Sequence, residues 1–364
     1  MKVLFIAPLP PPINGHSLAA EQFHKVLVAK HEVAIVNLSV GSRGDGSVTI
    51  GRVTAVLRIL LEVLSKRWGA DAIYFTISES IAGNLKDLLV YVLCWGSLSR
   101  LYLHLHGGTI KRELFDRFPL LRSLNTFFIR RCAGVIISGT SHDEIFDGMI
   151  DGSRVHTVVN FAQDNLFVSE AAIEEKFAQQ RPLRVLYISN MIAMKGFNEL
   201  ADAYFGLDAD SRARIRIDFA GGFDFDDRRE AFMTRVESYP GIKYHGKVSD
   251  EQKQALFAQA HVFCLPTAFL EGQPISILEA YASGCFVVTT GQPGIRDVFS
   301  DGLNGDELSE RTASGIGVTL TKLLEQPDRL RETAMRNRRA AGELYQPSRF
   351  GAELLRIVEL QHRL

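Results

Sequence analysis

Short apolar runs, each closed by glycine, proline or a polar turn and each followed by a segment of helical period, recur along the 364 residues of this chain. They cover residues 2–7, 32–38, 72–77, 101–106, 134–138 and 155–159. A second set starts afresh at 183–189 and continues at 216–222, 242–248, 261–265 and 285–290. Strands alternating with helices build parallel sheets covered on both faces, because each crossover must return along a helix. The pattern therefore predicts an α/β protein of two Rossmann-like domains. The expected boundaries are residues 1–163, completed by a C-terminal helix over 347–364, and residues 164–346. Length agrees, since single cores stop growing beyond about 250–300 residues.

Composition narrows the class further. Hydrophobic residues at 46% and charged residues at 23% match a soluble globular protein. No stretch reaches the roughly eighteen uncharged apolar residues of a spanning helix. The opening MKVLFIAPLPPP reads as a first strand and turn rather than a signal peptide. Cys94, Cys132, Cys264 and Cys285 stand singly in apolar surroundings, with neither metal-ligand spacing nor a disulfide framework, which favours the cytoplasm. The net charge of −1 is uneven: residues 1–163 carry +4 and the remainder −5. A basic first half suits an anionic acceptor or membrane surface. Nucleic acid is not expected, because no basic run is interleaved with aromatics and the pI is about 6.8.

The most informative stretch is PTAFLEGQPISILEAYASG, residues 266–284. A strand before it and a helix from Ile275 put Glu271, Gly272, Gln273 and Pro274 on the connecting loop and Glu279 within the first helical turns. Gly272 permits close backbone approach, and the N–H groups of a helix start suit a phosphate. A carboxylate about one turn further in reaches hydroxyls of whatever carries that phosphate. Glu-Gly-x-Pro, then Glu-Ala-x-Ala-x-Gly, a β run, GQPGIRD and DGLNG together resemble the signature of the family 4 retaining glycosyltransferases of GT-B fold. The resemblance is strongest over residues 183–305 and looser in the first half.

That resemblance implies two parallel sheets facing across a cleft and a nucleotide-sugar donor, a UDP-sugar being favoured. It assigns catalytic roles to His106, Lys195 and Glu271. Donor contacts fall on Gly15, Asn190, Lys195, Gly246, Val248, Glu271, Gly272, Gln273, Pro274, Ile275 and Glu279, with Glu279 on the ribose and Lys195 on the diphosphate. His106 is expected beside the donor sugar, with His104 weighing less. Three departures from the family pattern stand out. Asn14-Gly15 replaces two adjacent glycines, so only Gly15 carries over. Asn190 stands five residues before Lys195, where the family has arginine; either Asn190 supplies a neutral hydrogen bond or another cation reaches in. Asn-Phe-Ala-Gln-Asp after the last strand of the first half replaces Asn-Gly-Val-Asp.

The family reaction transfers a hexose or N-acetylhexosamine with retention. The acceptor attacks from the leaving-group face and the diphosphate takes its proton. No metal or other cofactor is implied, because Lys195 and helix N-termini take that role; the Asp224-Phe225-Asp226 string reads as a solvated loop. Helices expected near 52–68 and 111–131 mix leucine or phenylalanine with Arg and Lys. They suggest a glycan acceptor on a polyprenyl diphosphate at the inner membrane face, and a cytoplasmic, peripheral enzyme of surface polysaccharide or lipopolysaccharide synthesis. Packing of both helices into the domain core is the plainer explanation of the same pattern. A nucleotide-sugar epimerase and a non-catalytic nucleotide-sugar binder are the alternatives in function. A nicotinamide dehydrogenase would need G-x-G-x-x-G after the first strand, which PLPPPINGH lacks.

Overall fold

A computed structural model describes residues 1–39, 50–178 and 182–360. It divides into two compact units. The first comprises Met1–Asn160, Leu270–Gln273 and Pro347–Leu364; the second comprises Phe161–Phe269 and Pro274–Gln346. The division follows Asn160 rather than residue 163. It also gives the short loop that carries Glu271 to the first unit, against the expectation that this loop belongs to the second.

The first unit holds β1 (Lys2–Ala7), β2 (Glu32–Asn37), β3 (Ala72–Thr76), β4 (Leu101–His104), β5 (Gly134–Ile137) and β6 (Val155–Thr157). They form one sheet in the order β2-β1-β3-β4-β5-β6, parallel throughout. β1, β3, β4 and β5 are buried almost end to end, which is why they read as unbroken apolar runs. The sheet grows outward in both directions from β1, so the order reverses between β1 and β3. The helix Gly15–Val28 follows β1. Its start is fixed by a capping box in which Asn14 accepts from Ser17 N and the Ser17 hydroxyl accepts from Asn14 N. The C-terminal helix Pro347–Val358 packs on it: Gly351 meets Val26, Gln22 donates to Pro347 O and His31 contacts Glu359. The glycine-rich stretch 41–51 lies outside the described residues apart from Ile50 and Gly51, which open the helix Ile50–Lys66.

The second unit repeats the plan with β7 (Leu183–Ile188), β8 (Ile215–Ala220), β9 (Ile242–Tyr244), β10 (Val262–Leu265), β11 (Phe286–Thr289) and β12 (Gly305–Glu307). Its parallel order is β12-β11-β10-β7-β8-β9, and the reversal falls between β7 and β10. β9 ends at Tyr244, short of the expected 248, because Gly246 turns to φ +71° and breaks the extended chain. β12 was not expected: its three residues sit inside the turn-rich DGLNGDE. Ser249 caps the helix Asp250–Gln259 with Gln252 closing the box, as the SDEQ string predicts.

Candidate functional site

In open parallel sheets ligands bind beyond the carboxyl ends of the strands, at the reversal of strand order, where two crossovers run to opposite faces and leave a crevice. Each unit has such an edge. In the first, His104 closes β4 and His106 follows two residues later, with ring centroids 3.9 Å apart. His16, just inside the helix after β1, stacks on His106 at 5.3 Å. His104 and His106 are buried, whereas His16 is exposed. His104 Nδ1 and the Tyr74 hydroxyl are hydrogen-bonded at 2.5 Å, but His104 Nε2 and both ring nitrogens of His106 have no hydrogen-bond partner among the described residues. Burial, then the neighbouring His104 and His16, hold His106 well below its ordinary pKa; burial and His16 take His104 to about 3. Both rings are therefore neutral at pH 7. Ser138 Oγ, just past β5, and Asn160 Oδ1 are buried and unpartnered too. An unfilled buried polar atom costs roughly 1–3 kcal/mol, so this concentration singles the edge out as a candidate site.

The loop Leu270–Gln273 is sewn onto this same edge of the first unit. Gln273 Oε1 accepts from Asn160 N at 2.6 Å, its Nε2 donates to Ser138 O at 3.0 Å, and its carbonyl accepts from Asn160 Nδ2 at 2.9 Å. The side chain expected to touch the donor thus also serves as a strut, with its Oε1 held by Asn160 N and its Nε2 by Ser138 O. Gly272 is dictated by closeness: a Cβ there would lie 1.9 Å from His106 O. At Gly108 it would lie 2.7 Å from Glu271 O, and at Gly107 it would strike the Glu79 carboxylate. That carboxylate accepts from Thr109 N at 2.6 Å, Ile110 N at 3.0 Å and the Thr109 hydroxyl at 3.0 Å. Glu79 thereby holds the His-Gly-Gly loop, a role with no signal in its sequence surroundings. Glu271 itself is buried beside this loop. Gly15 is exposed at the start of its helix.

The second unit's edge is built differently. The turn after β7 runs from exposed Asn190 to half-buried Lys195 and closes at Gly196, φ +82°, where a Cβ would strike Pro266 O at 2.1 Å. Met194 O accepts from Ala268 N at 2.7 Å, docking this turn on the segment after β10. The docking sets the Lys195 ammonium 5.2 Å from the Phe269 ring centroid. Gly246, after β9, is tied through its carbonyl to Gly221 N at 2.8 Å, and Val248 is half-buried beyond it. The helix Ile275–Ala282 starts at Pro274 with no side-chain cap; Ile277 N turns back to Pro274 O at 3.1 Å, and the N–H groups of Ile275 and Ser276 before it keep their donor capacity. Glu279 is buried in that helix and receives the Lys253 ammonium at 2.5 Å; Lys253 also donates to Gln163 Oε1 at 2.7 Å. Lys253 was missed by sequence reasoning, because a lysine on the polar first turn of a predicted helix reads as solvated. Asp224 and Asp226 pair with Arg228 and Arg229, and Asp226 opens the helix Asp226–Val236 rather than lying in the expected loop.

The expected residues thus divide by unit. Gly15, His106, Glu271, Gly272 and Gln273 lie in the first; Asn190, Lys195, Gly246, Val248, Pro274, Ile275 and Glu279 lie in the second.

The outer face of the first unit has a separate character. The helix Ile50–Lys66 buries Ala55, Ile59 and Val63 yet exposes Val53, Leu57 and Leu61, so core packing accounts for only one of its apolar stripes. The adjacent helices Ile81–Leu93 and Pro119–Ile129 likewise expose Leu85, Leu89 and Leu120. A cavity of about 590 Å³ opens on the last of these, lined by Phe115, Phe127, Arg122 and Arg130 among others. No described helix is long and apolar enough to cross a membrane.

Residues 168–341 match the family model described as glycosyl transferases group 1. Over 166 residues the chain is 27% identical to the O-antigen chain mannosyltransferase B of Escherichia coli, an alignment covering 41% of this chain and 43% of that one. The chain spans less than half the length of the curated relatives it matches. Among solved structures, the Anabaena protein HepE in complex with UDP-glucose aligns over 100% of both chains, at 16% identity and a TM-score of 0.72. WaaG, a glycosyltransferase involved in lipopolysaccharide biosynthesis, aligns over 97% of this chain and 99% of its own, at 15% identity and a TM-score of 0.70. At these identities the likeness to both structures is one of fold. The group 1 match covers 174 of the 364 residues and takes in both Glu271 and Glu279, which bears out the resemblance to the glycosyltransferases, and the architecture is the two-domain GT-B fold.

Proposed function

We propose that this chain is a retaining glycosyltransferase. It moves a hexose or N-acetylhexosamine from a nucleoside-diphosphate sugar, a UDP-sugar being favoured, to a hydroxyl of a lipid-linked glycan acceptor. The observation that carries the reading is the convergence, at the strand-order reversal of the second unit, of Lys195, the uncapped start of the helix Ile275–Ala282 and buried Glu279. Glu279 accepts from the ribose hydroxyls, and the helix N–H groups and Lys195 face the diphosphate. As the bond from the anomeric carbon to the diphosphate breaks, negative charge grows on the departing oxygen. A fixed ammonium stabilises that charge more than it stabilises the bound donor, which is what accelerates a reaction. The acceptor oxygen attacks from the face the diphosphate leaves, and its proton passes to the diphosphate, so charge and protons balance without a protein base. His106, neutral and unsatisfied, hydrogen-bonds the donor sugar. Lys195 and the helix start supply the electrostatics that a divalent cation provides elsewhere.

HepE in complex with UDP-glucose and the E. coli O-antigen mannosyltransferase support a nucleotide-sugar donor and a hexose. The test is turnover of UDP-, GDP- and ADP-sugars with and without a chelator, with the anomeric configuration of the product read by NMR. Retention and insensitivity to chelator are expected; an inverted product overturns the mechanism, and free epimerised nucleotide sugar overturns transfer.

The lipid-linked acceptor, the inner-membrane surface and a place in surface polysaccharide synthesis rest on the outward apolar faces with Arg122 and Arg130 beside them. Exposed apolar area of this extent ordinarily meets a partner, and interleaved cations suit anionic headgroups. Sedimentation with anionic vesicles at low salt, lost at high salt, is expected. No sedimentation, together with equal turnover of a water-soluble acceptor, removes the membrane and leaves the transfer standing.

A further inference from the structure

The diphosphate of a nucleotide sugar carries two negative charges, and Lys195 answers only one. Asn190, at the other end of the same turn, is neutral and exposed. A second cation therefore has to come from elsewhere on this edge, or one charge stays uncompensated. Most cations on the neighbouring helix are already paired: Arg228 with Asp224, Arg229 with Asp226, and Arg235 with Asp202.

Lys247 is different. It follows Gly246, whose positive φ turns the chain off the end of β9. Its aliphatic stem then crosses Gly222: a Cβ there would lie 2.3 Å from Lys247 Cε, 3.1 Å from Cγ and 3.3 Å from Cδ. The glycine is the room this side chain occupies. Gly222 in turn touches the β7 turn, since its carbonyl accepts from Met191 N at 2.9 Å. Gly221 is pressed against the same turn, where a Cβ would stand 1.8 Å from Ser189 O and 3.5 Å from Asn190 N. The Lys247 stem is thereby laid beside the backbone of the turn that bears Asn190, and its ammonium makes no ion pair with a described residue.

We infer that Lys247 is the second diphosphate ligand of this unit, reaching across Gly222 to supply the charge that Asn190 does not. The inference rests on the nucleoside-diphosphate-sugar reading above and names a binding residue within it. It explains two glycines together, Gly221 for the approach of the turn and Gly222 for the passage of the lysine.

Calorimetry with UDP, GDP and ADP against the matching nucleosides tests it in the full chain. Lys247→Ala should weaken the diphosphate that the protein binds by about tenfold or more, the scale of one charge-assisted contact, and leave the nucleoside unchanged. Lys243→Ala, the same change of charge on exposed β9, should do neither. Adding Asn190→Arg to Lys247→Ala should recover most of the affinity, because both positions serve one turn. Unchanged diphosphate affinity in Lys247→Ala, while Lys195→Ala weakens it, overturns this inference and spares the donor reading. Equal losses for nucleoside and diphosphate also overturn it, since they report packing rather than charge. Failure of the unmodified protein to bind any of the three diphosphates overturns the donor reading and this inference with it.

Discussion

Each unit buries a neutral histidine against its sheet, and the two are opposites in everything but burial. His261, at the amino end of β10 in the second unit, uses both ring nitrogens: Nδ1 accepts from Arg184 N and Nε2 donates to Lys176 O, each at 3.1 Å. His106, beyond the carboxyl end of β4 in the first, uses neither. Burial lowers both pKa values, to about 4 for His261. A low pKa alone therefore does not separate scaffold from site; the presence or absence of a partner does. The carboxyl edges extend the contrast. The first unit offers buried, neutral, unsatisfied groups suited to sugar hydroxyls, whereas the second offers cations and free helix N–H groups over glycine, suited to phosphate.

The largest expected effect breaks the second edge. Lys195→Ala should lower kcat by about 10² or more, the scale of one donor to a developing oxyanion, with little change in Tm because the side chain is half-buried. Steady-state kinetics that show only a raised KM would mean Lys195 holds ground state and transition state alike.

The histidines come next, as a crossed pair. His261→Phe should cost about 2–3 kcal/mol of stability in denaturant melts, because the Arg184 N–H and the Lys176 carbonyl are left buried and unpaired, while kcat of the folded fraction is kept. His106→Phe should reverse this, with turnover down about tenfold and stability nearly unchanged, since no hydrogen bond is lost. If both variants lose stability equally, the distinction between them fails.

Glu279→Gln should weaken nucleotide binding by about 1–3 kcal/mol and also destabilise the fold, because Lys253 loses its buried carboxylate. Unchanged affinity by calorimetry would remove the ribose role. Acid stability supplies a further test. His104 and His261 have folded pKa values lowered to about 3 and about 4, against about 6.5 in the unfolded chain. The unfolded state then binds protons that the folded state refuses. Stability is whole above about pH 6.5 and falls towards about pH 4 and about pH 3, by roughly 1.4 kcal/mol per pH unit for each histidine. His261→Phe should flatten that slope by one histidine's share in melts taken across this window.

Much of the fold was legible because buried parallel strands must be apolar along their whole length, as in VLFIA and LRVLYI, and because helix starts advertise their caps, as in Asn14 and Ser249. Short elements were not. β12 has three residues and no periodicity to read. The helix Glu170–Ala178 is short, with few large apolar residues, and the neighbours that meet its Ile173 and Phe177 are distant in sequence.

The sequence by itself determined the two alternating β/α sets, the glycines at the strand ends and the acidic pair spaced about one helix. These are local matters of period, backbone freedom and capping. Tertiary structure alone decided what each polar group does. Gln273 reads as a ligand in its motif and in space also serves as a strut, because Ser138 and Asn160 arrive from more than a hundred residues away. Glu271 lies between strands of the second unit in sequence yet belongs to the first. His106 and His261 sit in similar apolar strings, and only the distant backbone that meets one and not the other separates them. Hydrogen bonds act over about 3 Å, so the groups that satisfy a side chain are set by the fold's long-range contacts and not by its neighbours in the chain.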